Sequence, residues 1–190
     1  MTAVLKRNSL DRAAAVRAAL RRLVAQHGFH GASMSAIAAE AGVATGTAYV
    51  HYESKESLVF AAYFELKKRL GEACASAVDA SLPPQKRFEA LWIAVYRFLS
   101  QDPEQAQFLC QMEASPYARQ AHEMFIANED DPMLAMSRDP EMLACIVDLP
   151  LVLLFDLSIG SAVRLAAGGE KVTKKTLSLL AAQSWRAITA

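Results

Sequence analysis

The chain has 190 residues, of which 53% are hydrophobic, and this is enough for one large helical core and a small additional head. Its net charge is zero, but residues 1–70 carry ten Lys or Arg against five Asp or Glu, whereas residues 71–190 carry ten against fifteen. This division of charge suits contact with an anion such as DNA at one end of the protein only. A membrane span is not expected, because the most apolar stretch, residues 142–163, is interrupted by Asp148, Pro150 and Asp156.

The first predicted helix covers residues 10–27, because its start and its end both carry clear signals. Ser9 can accept a hydrogen bond from the free N–H groups of a first turn, and Gly28 can adopt the left-handed backbone conformation that ends helices. Four apolar residues recur at offsets of four, seven and eight and form one stripe that faces a core: Val16, Leu20, Leu23 and Val24.

Two short helices joined by a tight turn follow. Ser33 is the predicted cap of the first of them, and its apolar positions repeat at helical spacing until Gly42. Gly42 supplies the positive φ angle that the turn needs, and Val43 is available to pack inward. Thr45 is the predicted cap of the next helix.

The helix after this turn has the composition of a DNA-reading helix. Residues 46–48 are Gly, Thr and Ala, which keep its first turn thin enough to enter a major groove. Tyr49 and His51 can donate to phosphate oxygens, while Thr47 and Val50 offer a hydroxyl and methyl groups to base edges. The helix contains no Arg or Lys, so its residues do not predict an operator sequence.

A lysine opens the fourth predicted helix, where Lys55 follows a serine cap at Ser54. A cation in the first turn opposes the helix macrodipole by roughly 0.3–1 kcal/mol, so another interaction must favour it there. Together with the free N–H groups, the ammonium forms a compact anion site, and the expected anion is a DNA phosphate.

Residues 38–58 read AAEAGVATGTAYVHYESKESL, and this run resembles the signature of the TetR family of repressors. The resemblance covers about residues 9–60 and includes the glycine turn, the Thr-Gly-Thr opening, the tyrosine and the Lys-Glu pair. Two residues depart from the pattern: Ala48 stands where the family often has leucine, and Tyr52 where it often has phenylalanine. The recognition helix is therefore expected to pack a little differently.

No strand-period alternation appears in the chain, so the sequence predicts an all-α fold. The resemblance implies that an N-terminal three-helix helix-turn-helix head is joined by a long helix to a helical ligand-binding and dimerisation body. It also implies roles for individual residues. By position, the residues that grip phosphates are Ser33, Tyr49, His51 and Lys55, and those near bases are Ser35, Thr45, Gly46 and Thr47. The expected partner of the head is double-stranded operator DNA.

After Leu58, apolar residues at helical spacing predict a long helix that leaves the head and ends near residues 81–84. We therefore divide the chain into a DNA-binding domain, 1–54, and an effector-binding and dimerisation domain, 55–190. Further helices are predicted in the body, several of them with proline at the first turn: 85–99, 103–113, 116–127, 132–136, 140–147, 151–167 and 173–188.

The last two predicted helices are the expected homodimer element, since two such hairpins can form a four-helix bundle, which the resemblance also implies. A dimer lets two heads read the two half-sites of a roughly palindromic operator. The alternative is that both helices complete the core of the protomer. The predicted interface residues are Leu151, Leu154, Phe155, Leu177, Leu180, Ala181, Ser184, Trp185 and Ile188.

The resemblance also implies a pocket in the body for a small-molecule effector, here expected to be apolar or aromatic because charge is scarce among the candidate residues. Aromatic residues and methionines at helical spacing are also typical of a packed core, and this alternative stays open. The candidate lining residues are Trp92, Tyr96, Phe108, Met112, Tyr117, Met124 and Phe125.

Cysteine and histidine spacing predicts no disulfide framework, metal site or cofactor. Cys74, Cys110 and Cys145 are odd in number and lack a CxxC pair, and the four histidines lack metal-ligand spacing. A reducing cytoplasm is the expected location, since the N-terminal residues also lack the apolar core of a signal peptide.

Three alternatives stay open at this level. Residues 9–58 could be ordinary helices of an all-α domain, with Tyr49 and His51 on the surface. An all-α body could host catalysis, although no catalytic motif is present and no enzyme activity is expected. A DNA-binding regulator could also lack a small-molecule effector and respond to a protein partner or to cysteine oxidation.

Overall fold

The computed structural model describes residues 2–128, 134, 135 and 138–190. In this part of the chain the regular structure is helical apart from one antiparallel bridge between Ile146 and Thr189, which confirms the predicted all-α fold class. The helix predicted at residues 132–136 lies largely outside the described residues. None of the described helices has both the length and the apolar character that a membrane span requires.

The described helices follow one another in two groups. The head consists of α1 (Thr2–Gly31), α2 (Met34–Glu40) and α3 (Thr45–His51), and α4 (Lys55–Ala77) leads out of it. The body contains α5 (Pro84–Leu99), α6 (Pro103–Glu113), α7 (Ala118–Ile126), α8 (Pro140–Leu143), α9 (Leu151–Leu157), α10 (Ile159–Ala167) and α11 (Lys174–Ile188).

Helix α1 starts earlier and ends later than its sequence signals predict. It begins at Thr2, so the prediction that Ser9 caps it is wrong. Residues 3–7 are Ala, Val, Leu, Lys and Arg, mostly strong helix formers, and their propensity extends the helix through a single serine. Gly28 has the predicted positive φ of 67°, but it bends the helix, which then continues to Gly31.

The predicted caps of the following helices are mostly confirmed. Ser33 accepts a hydrogen bond from the N–H of Ala36, and Ser54 accepts one from the N–H of Ser57. The prediction that Thr45 caps α3 is wrong, because extended Ala44 occupies the cap position without a side-chain hydrogen bond and Thr45 is the first helical residue. Its hydroxyl is therefore not needed as a cap.

The long helix predicted at residues 151–167 is broken at Ser158, whose backbone is not helical (φ −112°, ψ −105°). Two polar contacts hold this break. The Ser158 hydroxyl donates to the carbonyl of Leu154, and the buried indole of Trp92 donates to the Ser158 carbonyl oxygen at 3.3 Å. A serine that competes for backbone hydrogen bonds is a known cause of helix interruption.

Helix α8 is shorter than the helix predicted at residues 140–147, because the last of these residues pair with the C-terminal end of the chain instead. The N–H of Val147 donates to the carbonyl oxygen of Ile188 at 2.9 Å, next to the bridge between Ile146 and Thr189. The start of α8 is fastened to α5 by buried Arg87, whose guanidinium donates to Asp139 at 2.5 Å and to Glu141 at 2.6 Å.

Helix α5 lies at the centre of the body and contacts α4, α10 and α11, while α1 of the head packs along α6. The Phe29 ring, just after the bend of α1, lies between Phe108 of α6 and Tyr117, at centroid distances of 6.4 Å and 5.1 Å. Buried residues of head and body thus form one continuous core. The predicted boundary at residue 54 therefore concerns function: it remains a prediction about which residues bind DNA and which bind an effector or a second protomer.

We predict that Phe108→Ala lowers the free energy of unfolding by about 3–5 kcal/mol, because the fully buried ring leaves a cavity at the joint of head and body. Urea denaturation followed by circular dichroism measures the change. Met124→Ala is the control, since Met124 is 44% exposed and its loss should change stability by less than about 0.5 kcal/mol. Equal losses in the two variants would contradict the assignment of Phe108 to the core.

Candidate nucleic-acid interface

Helix α3 exposes one continuous face and buries the opposite one. Thr45, Gly46, Tyr49 and Val50 are exposed, whereas Ala48 is completely buried. The exposed positions share one face because residues four apart lie above one another on a helix. A side chain at Gly46 would meet nothing within 4 Å, so open space lies in front of the helix. The exposed face has the size and chemistry to enter a major groove.

The residues of α3 that are predicted to contact DNA differ in how much surface they expose. Val50, whose methyl groups are predicted to contact base edges, is 82% exposed, more than any other large apolar residue of the described chain. The family resemblance by itself assigns Val50 no role, so this predicted contact rests on the chemistry of its side chain. Thr47 and His51 are only half-buried and lie toward the side of the helix.

The serines predicted to contact DNA lie at the exposed start of α2. The Ser33 hydroxyl accepts the N–H of Ala36 at 3.1 Å and lies 3.0 Å from the Ser35 hydroxyl. Ser33 is thus occupied as a helix cap, while the free N–H groups of this first turn stay directed outward. An anion can be bound at such a position without rearrangement of the helix.

Lys55 has a partner within the protein. Its ammonium donates to the carbonyl oxygen of Phe29 at 2.5 Å, and Phe29 follows directly on the bend at Gly28. Burial lowers the pKa of Lys55 below its ordinary value. The unfavourable position of a cation in the first turn is therefore explained by this carbonyl, without DNA. Two further N–H groups of the ammonium are available to a phosphate.

A network around Glu65 of α4 holds the head together. Arg17 donates to one Glu65 carboxylate oxygen and Arg21 to the other, each at 2.6 Å. Arg17 also donates to the Tyr52 hydroxyl at 2.6 Å, and that hydroxyl donates to the carbonyl oxygen of Ala13 at 3.2 Å. We call these four side chains, Arg17, Arg21, Tyr52 and Glu65, the Glu65 clamp.

The clamp explains the departure from the family pattern at Tyr52. Tyr52 is the C-terminal cap of α3 and is 8% exposed, so its hydroxyl must find partners inside the head. Arg17 and the Ala13 carbonyl supply them. The end of the exposed α3 face is thereby fixed to α1 by hydrogen bonds that phenylalanine could not make.

The pairing in the clamp stabilises the charged forms of Glu65 and Arg17. Burial by itself would raise the pKa of Glu65, but hydrogen bonds from Arg17 and Arg21 outweigh it and lower the pKa below its ordinary value. The hydrogen bond to Glu65 correspondingly raises the pKa of Arg17. A third arginine of α1, Arg22, pairs with Glu40 of α2 at 2.8 Å. These arginines connect helices of the head and are not free charges for DNA.

Four of the seven candidate effector residues are buried in the core of the protomer. Trp92, Phe108 and Met112 are packed in the core, and buried Tyr96 donates to the carbonyl oxygen of Glu170 at 3.1 Å. The other three are more accessible: Tyr117 and Phe125 are half-buried, and Met124 is exposed. A groove of about 420 Å³ lies elsewhere, between α4 and α5, and is lined by other residues.

Most of the predicted dimer residues are buried within the protomer. Trp185 is 8% exposed and its ring lies 5.3 Å from that of Phe88, so it already has a partner. Those buried in the protomer's own core are Leu177, Ala181, Ser184, Trp185 and Ile188, whereas Leu154, Phe155 and Leu180 are half-buried. The side chain of Leu151 lies outside the described residues. The stripe predicted on α11 is therefore its core-facing side.

The exposed apolar residues of this region lie beside that stripe. Three of them belong to α9 and one to α11, and these two helices contact each other. We call the group the α9–α11 patch; it consists of Val152, Leu153, Leu157 and Leu179, which are 44–59% exposed. Four large apolar residues on adjacent helices are typical of a protein–protein contact.

Cys74 and Cys110 lack the environment of a redox sensor. Burial raises the pKa of Cys74 to about 12 and also raises that of Cys110, whereas a reactive cysteine needs a lowered pKa and access to solvent. Cys145 donates to the carbonyl oxygen of Glu141. Across residues 2–128 and 138–190, no group of three or more His, Cys, Asp or Glu side chains is arranged to hold a metal ion.

Two family profiles match the chain. Residues 16–62 match "Bacterial regulatory proteins, tetR family", which spans most of α1 through the first part of α4. Residues 83–189 match "Tetracyclin repressor-like, C-terminal domain", which spans α5 through α11. The first match contains the exposed face of α3 and most of the Glu65 clamp.

Proteins similar over the whole chain are known from several bacteria. An uncharacterized HTH-type transcriptional regulator of Haemophilus influenzae is 24% identical over 188 residues, covering 97% of this chain and 99% of that protein. The structure of a TetR family transcription regulator from Marinobacter aquaeolei has a TM-score of 0.78 at 22% identity and covers 97% of this chain and 98% of its own.

A TetR-family transcriptional regulator from Haemophilus influenzae has a TM-score of 0.74 at 24% identity and covers 95% of this chain and 98% of its own. A further structure, from a Shewanella species, has a TM-score of 0.78 at 22% identity, with coverage of 94% and 98%. At these identities the structural matches show the shared fold.

We predict that Glu65→Gln lowers the free energy of unfolding by about 2 kcal/mol at neutral pH, because both arginines lose their anionic acceptor. The pH dependence should change as well. Since the folded pKa of Glu65 is lowered, its contribution is complete above the ordinary carboxyl pKa and is lost as the pH falls through the folded value. Urea denaturation at a series of acidic pH values measures both effects.

The control for this variant is Glu53→Gln, which removes an exposed carboxylate from the same region. It should leave stability nearly unchanged at neutral pH. The free energy of unfolding of Glu65→Gln should fall less steeply toward acidic pH than that of the unmodified protein. An equally steep fall would show that the ionised Glu65 carboxylate does not contribute the stability that we assign to it.

Proposed function

The chain belongs to the TetR family of bacterial regulatory proteins, and we propose that this helix-turn-helix transcriptional regulator is a repressor. In this proposal, its homodimer binds a roughly palindromic operator and releases it when the body binds a small molecule. The observation that carries the proposal is the exposed face of α3. Its four residues are exposed, and the space in front of Gly46 is open, which supports contact with a DNA groove.

Contacts on this face divide into base reading and positioning. Thr45, Gly46 and Val50 are placed at base edges, where the valine methyl groups suit contact with thymine methyl groups. Tyr49, which is 51% exposed, donates to a phosphate through its hydroxyl. The start of α2, with Ser33 and Ser35, and the half-buried Thr47, His51 and Lys55 flank the face and extend the contact to neighbouring bases and phosphates.

The homodimer is proposed to form through the α9–α11 patch, with the half-buried Leu154, Phe155 and Leu180 at its edge. This surface is apolar, accessible and located on the last helices of the body. Two protomers joined there present two α3 faces, whose spacing must match half-sites about 34 Å apart or a multiple of that distance. A dimer also raises operator affinity, because the second head binds at a high effective concentration.

Release of the operator is proposed to act through α4. This helix carries Lys55 at its first turn and Glu65 in the clamp, and its far end contacts α5. A ligand that binds one orientation of α4 better than the other shifts the spacing of the two heads and lowers operator affinity. The ligand must differ in affinity for the two states, since equal binding shifts nothing.

A regulator without a small-molecule effector is the second candidate, and one observation favours it. Trp92, Phe108 and Met112 are closely packed, as expected of a body that holds no ligand in its centre. The environments of Cys74 and Cys110 argue against oxidation as the signal, so a protein partner is the more consistent trigger for this candidate.

The proposal is tested by a gel shift with the DNA that flanks the protein's own gene, repeated over a salt series. We expect a specific, salt-sensitive complex. Val50→Ala should weaken binding to the best site by about 1 kcal/mol and relax the preference at one position, since it loses two methyl contacts. Tyr49→Phe should weaken binding to all sequences equally.

These two variants are matched, because each removes a small group from neighbouring exposed residues. An equal loss of affinity for all DNA sequences in Val50→Ala would contradict a base-reading role of Val50. Absence of any specific complex with this DNA or with sites selected from a random pool would contradict the regulator itself.

For the dimer, we predict that Leu153→Glu weakens self-association by at least about 100-fold, because an unpaired carboxylate would be buried in an apolar contact. Sedimentation equilibrium measures the change. Leu143→Glu is the control: Leu143 is 52% exposed, close to the 46% of Leu153, but lies on α8 outside the patch. A fully dimeric Leu153→Glu protein would place the interface elsewhere.

A further inference from the structure

The groove between α4 and α5 exists because both helices present alanines to each other. Ala73 and Ala77 lie one turn apart near the C-terminal end of α4, and Ala90 and Ala94 lie one turn apart on α5. Short side chains at four facing positions leave a space of about 420 Å³ that opens to solvent. This volume falls within the range of about 300–1,000 Å³ typical of small-molecule sites.

The edge of the groove is cationic. Arg97 and Gln101 line it one turn apart, and the Arg69 guanidinium lies 5.5 Å from the ring centroid of Phe98, which lines it as well. Arg69 and Arg97 are both exposed, and in the described part of the chain neither of them has a carboxylate partner within salt-bridge distance. The arginines of the Glu65 clamp and Arg87, in contrast, are all paired.

We propose that this groove binds an amphipathic monocarboxylate, with its apolar body on the alanines and Phe98 and its carboxylate at Arg97. A guanidinium offers two parallel N–H groups that match the two carboxylate oxygens, and the Gln101 amide adds a donor. The charge is complementary, since two cations without carboxylate partners border an apolar surface. A neutral apolar ligand would use the alanines but not the arginines.

The site lies where it can act on DNA binding, and this part of the inference rests on the proposed function. Ala77 is 22 residues from Lys55 along α4, or about 33 Å at 1.5 Å per residue. Glu65, near the middle of α4, is held by α1. A ligand that separates the far end of α4 from α5 therefore tilts the helix about the clamp and moves the end that carries Lys55.

The test is a calorimetric titration of the full chain with decanoate, compared with decan-1-ol and decylammonium at the same concentrations. We expect decanoate to bind, and the two comparison compounds to bind at least about tenfold more weakly. Arg97→Gln should weaken decanoate about tenfold, as expected for the loss of one charge-assisted contact at an accessible site. Arg119→Gln, an exposed arginine on α7, should have no effect.

A second pair of variants tests the location. Ala77→Leu partly fills the groove and should weaken decanoate, whereas Ala75→Leu, exposed on the same helix but not lining the groove, should not. Unchanged thermal unfolding in both variants shows that the fold is kept. Failure of decanoate to bind, equal binding of decan-1-ol, or unchanged binding to Arg97→Gln or Ala77→Leu would each overturn the inference.

The gel shift separates this inference from the proposed function. Loss of the operator complex on addition of decanoate, absent in Arg97→Gln, supports both. Decanoate binding that leaves the complex intact supports the groove and contradicts release of the operator through it. A specific operator complex together with no binding of decanoate overturns the proposed ligand site in the groove, but it supports the proposed function as a DNA-binding regulator.

Discussion

The structure of the head depends on one carboxylate that two arginines share. Glu65 of α4 accepts hydrogen bonds from Arg17 and Arg21 of α1 at 2.6 Å each. Two cations on one helix would otherwise repel each other in a half-buried place, so the three charges are stable only together. The clamp therefore sets the angle between α1 and α4, which in turn sets the position of the helices between them.

Helix α3 is connected to the same network through its C-terminal cap, Tyr52. The Tyr52 hydroxyl binds Arg17 and the Ala13 carbonyl, while buried Ala48 packs the inner side of α3 into the core. The exposed face of α3 is thus fixed by the packing of the opposite side of the helix and by hydrogen bonds at its C-terminal end. A seven-residue helix has little stability of its own, so these tertiary contacts decide where its side chains point.

Contacts with the body extend this rigid arrangement beyond the head. Phe29 joins the end of α1 to Phe108 and Tyr117, and its carbonyl holds Lys55 at the start of α4. The head is therefore connected to the body at α6 as well as through α4. In a body whose centre is closely packed, a surface groove beside α4 offers a ligand a way to act on this connection without opening the core.

The sequence by itself determined the features that depend on a few neighbouring residues. The all-α class, the caps at Ser33 and Ser54 and the positive φ angles at Gly28 and Gly42 all follow from local backbone chemistry. The family signature within residues 38–58 was equally visible, because its spacing is fixed by the helix-turn-helix. These features do not require knowledge of what packs against them.

Only the tertiary structure decided which partner each side chain has. Lys55 binds a carbonyl 26 residues away, Arg17 a carboxylate 48 residues away, and Trp185 faces the protomer's own Phe88. An apolar stripe such as that of α11 looks the same in a sequence whether it faces its own core or a second chain. Distant residues compete for the same hydrogen-bond donors and the same apolar surfaces, and that competition is resolved only when the chain has folded.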